Sequence, residues 1–375
     1  MSFSEVHSTV CSIHPYFGYV CMPHATLDFS EKLPPVFMHG ARAKINSHGF
    51  RGDEWPEEKP KGEIWIGLFG GSVAFSVSST DETRTIAYVL QQKLNAILSE
   101  QKKATIVRVL NLALPGGQQP QHLFIYLQHR HLLDGIITFD GINEVIVPTV
   151  YNFGFIPHDF PYKPYYEVLF GHQINETQSA LMLLQDLLEK KYRSATTVMR
   201  AIGKGLYNYL KRTIQDRNRA ESSTYGEFHS IFYKRGTAEK QLEIGKIGAE
   251  NWASSIRAMD YVRAGERKDA LYVLQPVPEI GKRLTGLERS IIEDYEEEVV
   301  ALRRQLRPLL EEKLDILKNE LLPCEDFRDV FLSEEGNIYN DHVHFEDRGC
   351  VIVADKLAQI LMERWKCLDM DYQSG

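Results

Sequence analysis

Residues 63–72 read EIWIGLFGGS, an apolar run that ends at two glycines and a serine. Three later runs are apolar in the same way, and they are TIVRVLNLAL (Thr105–Leu114), GIITFDG (Gly135–Gly141) and ALYVLQPV (Ala270–Val277). Amphipathic helical patterns over about 83–99 and 121–133 separate the first three runs. Strands that are apolar on both faces are typical of a parallel sheet that helices cover on each side. The sequence therefore predicts a doubly wound α/β fold.

The composition disfavours several classes of protein. The chain has 375 residues, of which 43% are hydrophobic and 25% charged, as in ordinary globular proteins. Its formal net charge of −8 disfavours nucleic-acid binding, which needs a basic face. The five cysteines include no CxxC pair, so we expect neither a disulfide framework nor a zinc-thiolate site. The start lacks a signal-peptide pattern and no run of about 18 apolar residues occurs. We therefore expect a cytoplasmic chain without a membrane span, exported only if a leader was removed.

Turn formers and a long interval between the third and fourth runs divide the chain. Residues 1–54 are rich in proline and glycine, which predicts an irregular N-terminal arm packed on the core. Residues 55–150 and 268–375 would form that core, and residues 151–267 an aromatic-rich and helical insertion, as a lid or a side subdomain. Within the insertion, residues 190–212 carry the basic face of a predicted helix. That face is either simply solvated or a surface for an anionic partner.

Polar side chains and glycines follow the ends of the predicted strands, where doubly wound proteins bind their ligands. Ser72 stands at the start of a helix, whose free amides favour negative charge, although Gly-Gly-Ser is also a common turn and helix cap. Gly116 follows the second run and permits its amide to approach a ligand closely, unless it serves a plain turn. Asn143 offers an amide donor after the third run. Asp341 and His344 are three residues apart, so the carboxylate could orient the imidazole, or the pair could cap a helix.

These residues fall into sequence blocks that follow one another in a characteristic order. The blocks are LFGGS (68–72), Pro115-Gly116-Gly117, FDGINE (139–144) and DHVHF (341–345), preceded by HPYFGY (14–19) and INSHGFRG (45–52). Their order resembles that of the SGNH (GDSL-type) serine hydrolase superfamily, and the first two resemble one bacterial branch of it. The resemblance covers residues 15 to about 361, except most of the insertion. It implies a flavodoxin-like three-layer α/β/α core with a central parallel sheet, the SGNH hydrolase fold, together with the helical insertion.

The resemblance also implies roles, residue by residue. Ser72 would be the nucleophile, His344 the general base and Asp341 the residue that orients it. The amides of Ser72 and Gly116 and the side chain of Asn143 would form the oxyanion hole, with the glycine that follows as the alternative. The resemblance implies neither a cofactor nor a metal.

Two positions depart from the family's pattern. Gly71 replaces the Asp of Gly-Asp-Ser, and Glu144 replaces the Asp that follows the Asn. Neither change removes a catalytic group, but both leave open which hydrogen bonds brace the nucleophile loop.

The resemblance implies a serine-dependent ester hydrolase that acts on an O-acylated small molecule or glycan through an acyl-serine intermediate. An O-acyltransferase would use the same Ser-His-Asp set and pass the acyl group to an alcohol. A catalytically silent binding module is the third alternative. Neither a GxGxxG nor a P-loop pattern follows the first run, which disfavours nucleotide binding.

Overall fold

The computed structural model of the chain describes residues 11–14, 16–28, 41–150, 238–294 and 297–369. Its strands are β1 (Cys11–His14), β2 (Gly18–Cys21), β3 (Thr26–Asp28), β4 (Arg42–Lys44), β5 (Glu63–Gly70), β6 (Ile106–Asn111), β7 (Gly135–Asp140), β8 (Asp269–Leu274) and β9 (Cys324–Asp326). Its α-helices are α1 (Ser72–Phe75), α2 (Ile86–Glu100), α3 (Gln121–His129), α4 (Asn143–Val150), α5 (Ala238–Gly265), α6 (Gly286–Asp294), α7 (Glu297–Asn319) and α8 (Asp347–Arg364). Within these ranges no helix combines the length and the apolar composition that a membrane span needs.

Five of the strands form one parallel sheet in the order β6-β5-β7-β8-β9. Counted along the chain, these strands take the order 2-1-3-4-5, which is that of the flavodoxin fold. Helices α2 and α8 pack on each other on one face, whereas α5 packs against α3 and α7 on the other. The protein therefore has the predicted architecture, a three-layer α/β/α fold with a central parallel sheet.

The run that begins at Glu63 forms β5, an inner strand in which every residue after Glu63 is buried. It pairs with β6 over residues 63–68 and with β7 over residues 66–70. Because the strands are parallel, the loops that follow β5, β6 and β7 lie at the same edge of the sheet. This edge is where the sequence places Ser72 and Asn143.

Two parts of the fold differ from the expectations. The apolar runs do not predict β9, a strand of only three residues that pairs with β8 at the sheet's second edge. The prediction of an irregular arm is wrong in part, because β1 pairs with β2 and β3 with β4, both antiparallel. Turn formers such as Pro23 and Gly49 lie between the strands and do not prevent them from forming.

Most of the predicted insertion, residues 151–237, lies outside the described residues, and so does the predicted basic face at 190–212. Helix α5 falls within the range predicted as insertion, yet it packs against β8 and α7. Its buried side includes Ile244, Trp252 and Met259. This helix therefore contributes to one outer layer of the three-layer fold.

The outer edge of β6 is covered by side chains of α2. Asn95 Oδ1 accepts a hydrogen bond from the Val107 N–H (2.8 Å), and Asn95 Nδ2 donates to the Val107 carbonyl (2.8 Å). Gln91 Oε1 accepts from the Val109 N–H (3.0 Å). These bonds satisfy backbone groups that an edge strand would otherwise offer to another chain.

Replacing Asn95 removes both partners of Val107. We expect Asn95→Ala to lower the free energy of unfolding by about 1–2 kcal/mol, because a donor and an acceptor lose their partners together. Urea unfolding followed by circular dichroism measures the change. Gln92→Ala is the matched control, because Gln92 is exposed on the same helix, and its effect should stay below about 0.5 kcal/mol. Equal losses in the two variants would contradict the role of Asn95.

Candidate active site

Ser72 stands where β5 turns into α1. Gly70 ends the strand with φ +154°, and a Cβ there would lie 2.5 Å from Phe139 O and 2.6 Å from Ala74 Cβ. Gly71 is the N-cap of α1, and a Cβ on it would overlap a neighbouring side-chain amide. Both positions therefore require glycine for steric reasons. The turn makes Ser72 the first residue of α1 and leaves it partly exposed.

Asp341 and His344 lie in a short loop before α8. An antiparallel bridge between Tyr339 and Phe345 closes the loop. Asp341 Oδ1 accepts hydrogen bonds from the backbone N–H groups of Val343 (2.7 Å) and His344 (2.6 Å). The Asp341 side chain therefore organises the backbone that follows it, as aspartate does in Asx turns.

A chain of hydrogen bonds connects this loop to Ser72. Nδ1 of His344 lies 2.5 Å from Asp341 Oδ2, and Nε2 lies 2.6 Å from Ser72 Oγ. Because a carboxylate can only accept, we assign the proton of the neutral imidazole to Nδ1, which leaves Nε2 as the acceptor for the Ser72 hydroxyl. The structure thus brings the three residues together in the arrangement that activates a serine.

The charge state of Asp341 follows from its surroundings. Burial by itself raises the pKa of this carboxyl, but the charge and hydrogen bonds of His344, helped by His342, hold the pKa well below its usual range. Burial lowers the pKa of His342 to about 4; the Asp341 carboxylate opposes this shift, and Arg303 and His344 add to it. At neutral pH, Asp341 is therefore charged and His342 is neutral.

Asn143 and the two adjacent glycines that follow β6 lie at the same edge of the sheet. Asn143 Nδ2 donates to Gly117 O (2.8 Å), and the same amide lies against Gly71. The Gly117 N–H donates to Leu114 O (2.8 Å), so this amide is already engaged. Gly116, with φ +76°, is partly exposed and its amide lies outside that bond. Of the two glycines, Gly116 therefore has the amide better placed to bind a ligand.

Gly71 and Glu144, the two departures from the family's pattern, each have a structural explanation. The Asn143 amide fills the space that a side chain at position 71 would occupy. Glu144 Oε2 accepts a hydrogen bond from the Gly141 N–H (2.8 Å), which holds the loop that carries Asn143. The larger carboxylate side chain thus braces the strand-end loop from within the core.

The N-terminal block HPYFGY contacts the loop that carries Gly116. Tyr19 Oη donates a hydrogen bond to Pro115 O (2.6 Å). Gln121 Nε2, at the start of α3, donates to Phe17 O (2.8 Å). The block therefore supports both ends of the segment between β6 and α3.

Glu288, which the sequence does not single out, holds the backbone that leads into the Asp341 loop. Its Oε1 accepts hydrogen bonds from the N–H groups of Ile338 (2.8 Å) and Tyr339 (3.0 Å), and its Oε2 accepts from Lys282 Nζ (2.7 Å). The Lys282 and Glu288 side chains are fully buried. Burial raises the pKa of Glu288, but Lys282 and the backbone amides outweigh this effect and lower the pKa. The carboxylate therefore stays charged and ties the loop to the start of α6.

The sequence carries one signal at this place, a Thr-x-x-Glu capping box. Thr285 Oγ1 accepts from the Glu288 N–H (3.2 Å), and Glu288 Oε2 accepts from the Thr285 N–H (2.9 Å). The pattern predicts a helix start but not the bonds to Ile338 and Tyr339, which lie 50 and 51 positions later. A second buried pair, Arg303 with Glu279, reaches the same loop because Arg303 also donates to the His342 carbonyl.

One buried group among the described residues combines side chains of metal-binding type. His122, Asp140 and Glu144 place ligand atoms within 4.8 Å of one another. The sequence does not single out His122, because nothing in the pattern of α3 distinguishes it from an ordinary core residue. The expectation of a site without metal stays a prediction.

Comparisons with known proteins give similarity only to solved structures. No protein-family model matches the chain, and no curated protein matches it. The chain is similar to the acetyl xylan esterase AlAXEase (12% identity, TM-score 0.36, covering 80% of this chain and 100% of that one). It is also similar to the lipase/acylhydrolase from Enterococcus faecalis (12%, 0.37, 83% and 100%) and to Axe2, an acetylxylan esterase from Geobacillus stearothermophilus (11%, 0.38, 79% and 93%). At these identities and TM-scores, the similarity carries no conclusion about the chemistry of this chain.

The buried Glu288 carboxylate should matter far more than a surface carboxylate. We expect Glu288→Ala to lower the free energy of unfolding by about 3–5 kcal/mol, because it leaves a buried ammonium and two amides without their acceptor. Glu250→Ala is the control, since Glu250 forms a more exposed ion pair with Lys313, and it should lose at most about 1 kcal/mol. Chemical denaturation measures both, and a Glu288→Ala loss as small as the control's would contradict the bracing role.

Proposed function

We propose that the protein is a serine-dependent ester hydrolase of the SGNH type, acting on an O-acylated small molecule or glycan. The observation that carries this proposal is the hydrogen-bonded chain from Asp341 through His344 to the Ser72 hydroxyl. These are the three residues to which the sequence resemblance assigns the nucleophile, the base and its orienting acid. A binding module would have no need of a serine aligned with a base in this way.

The hydroxyl of Ser72 is the nucleophile in this mechanism. As its oxygen attacks the acyl carbonyl, its proton passes to His344 Nε2, and the charge of Asp341 stabilises the imidazolium that forms. The imidazolium then protonates the departing alcohol, which leaves an acyl-serine. In the second half, Nε2 takes a proton from water, the water oxygen attacks the acyl carbon, and Ser72 recovers its proton as the acid leaves.

The oxyanion would be held by the amides of Ser72 and Gly116 and by the side chain of Asn143. A primary amide has two donors, so Asn143 can keep its bond to Gly117 O and still direct its second N–H at the oxyanion. The Ser72 amide belongs to the first turn of α1, where it has no partner within the helix. Each donor of this kind contributes about 3–4 kcal/mol to the stability of the transition state.

An O-acyltransferase would use the same residues, with an alcohol in place of water in the second half. The two outcomes separate when an acyl donor is mixed with candidate alcohols and the new ester is compared with the free acid. Free acid as the dominant product supports the proposed hydrolase, and dominant ester formation would replace it with the transferase.

Ser72→Ala tests the nucleophile. We expect this variant to lower kcat for p-nitrophenyl acetate by at least about 10⁴-fold, because no other step can replace the acyl-serine. Release of p-nitrophenol measures the rate. Ser99→Ala, an exposed serine at the end of α2, is the matched control and should keep the wild-type rate. Wild-type rates in Ser72→Ala would exclude Ser72 as the nucleophile.

Asp341→Asn tests the orientation of the base. The amide oxygen can still accept from the Val343 and His344 backbone, but the amide nitrogen would donate to His344 Nδ1 and force the proton onto Nε2. The wrong tautomer cannot accept the serine proton, so kcat should fall by about 10⁴-fold. A thermal melt shows whether the variant is folded, and a folded variant with a normal kcat would contradict the assigned tautomer.

A further inference from the structure

His122, Asp140 and Glu144 form a fully buried cluster beneath the strand-end loops of the proposed oxyanion hole. His122 Nδ1 lies 3.0 Å from Asp140 Oδ1, and neither side chain is exposed. Glu144 is 3% exposed, and its Oε1 has no hydrogen-bond partner among the described residues. Two carboxyl groups and one imidazole thus share a volume that water does not reach.

The cluster contacts the loops that carry the proposed oxyanion donors. Glu144 Oε2 accepts from the Gly141 N–H (2.8 Å), two residues before Asn143. The His122 ring lies directly under the second glycine, because a Cβ on Gly117 would be 2.8 Å from Nε2. A change of charge in the cluster therefore acts on Asn143 and on the Gly116–Gly117 turn.

The three groups cannot all be ionised at a low energy, because two carboxylates would face one imidazolium away from water. Burial and the nearby Asp140 charge raise the pKa of Glu144 to about 7, and His122 opposes this rise. For His122, burial lowers the pKa, but the Asp140 carboxylate outweighs it and the pKa is raised. On the other side of Glu144, α5 presents Gly248 to its backbone carbonyl. Among the described residues, Asp140 and His122 are the charged groups that act on this carboxyl.

We propose that Glu144 is a positioning residue that supports the oxyanion hole in its protonated form, while His122 and Asp140 form an ion pair beside it. The proposal rests on the proposed function, because it needs an oxyanion to stabilise. When Glu144 loses its proton to solvent, a second negative charge appears behind Asn143. That charge opposes the negative charge that develops on the substrate oxygen, so kcat falls while substrate binding changes little.

The sign of the pH dependence follows directly. A carboxyl with a raised pKa keeps its proton below that pKa and loses it as the pH rises. We therefore expect kcat for p-nitrophenyl acetate to fall as the pH rises through about 7. The fall should be about tenfold, the effect of one additional charge near a site with an effective dielectric constant of about 20.

Glu144→Gln is the decisive variant, because the amide oxygen can still accept from the Gly141 N–H but the side chain cannot ionise. We expect it to lose the alkaline fall in kcat, with KM close to that of the wild type. Glu250→Gln, a surface carboxylate changed in the same way, should keep the wild-type profile. A Glu144→Gln variant that retains the alkaline fall, or that is folded and inactive at every pH, overturns the positioning role.

A second readout does not depend on activity. Infrared spectra of the wild-type protein should contain the C=O band of a protonated carboxyl that disappears as the pH rises through about 7. The band should be absent from Glu144→Gln, and its absence from the wild type overturns the proposal. Absence of any ester hydrolysis, in contrast, overturns the proposed function and the positioning role with it, while the band still reports the proton.

The donor set of the cluster also suits a divalent metal such as Zn²⁺. Elemental analysis of the purified wild-type protein and of Glu144→Gln separates the two states of the cluster. We expect no bound metal in either protein. One equivalent of zinc in the wild type that is lost in Glu144→Gln would overturn the proton-bearing Glu144.

Discussion

The hydrogen bond between His344 Nε2 and Ser72 Oγ is the contact on which the rest of the site depends. It joins two residues that are 272 positions apart in the chain. One partner is fixed by the end of an inner parallel strand, and the other by the loop that begins α8. Because α8 packs on α2, the first long helix after Ser72, a single helix pair holds both halves of the bond. The three-layer fold therefore sets the geometry of the triad.

Buried charges support this geometry from two sides. Glu288 with Lys282 and Arg303 with Glu279 hold the backbone around Asp341, while His122, Asp140 and Glu144 lie under the opposing loops. A buried ion pair adds little net stability compared with apolar packing, but its loss leaves an uncompensated charge. These groups are thus better explained by the loops that they fix than by the stability that they add.

The sequence predicts the elements whose signal is local. β5, β6, β7 and β8 are long apolar runs, and the strand-end positions of Ser72 and Asn143 follow from them. It does not predict β9, since three residues are too few for a pattern. Nor does it predict the brace from Glu288, because a capping box looks the same whether or not its carboxylate also binds a distant backbone. The Asp341–His344 spacing suggests the pair, whereas only the fold shows that the imidazole meets Ser72.

The departures at Gly71 and Glu144 show how one site can keep its chemistry with altered support. Gly71 leaves room for the Asn143 amide, and Glu144 supplies the acceptor that holds the Asn143 loop. The central claim is that Ser72 is a nucleophile activated by His344. The most direct test is to incubate the protein with a fluorophosphonate and map the modified peptide by mass spectrometry. The account predicts one adduct, on Ser72, that is absent after prior denaturation; no adduct, or an adduct on another residue, would contradict it.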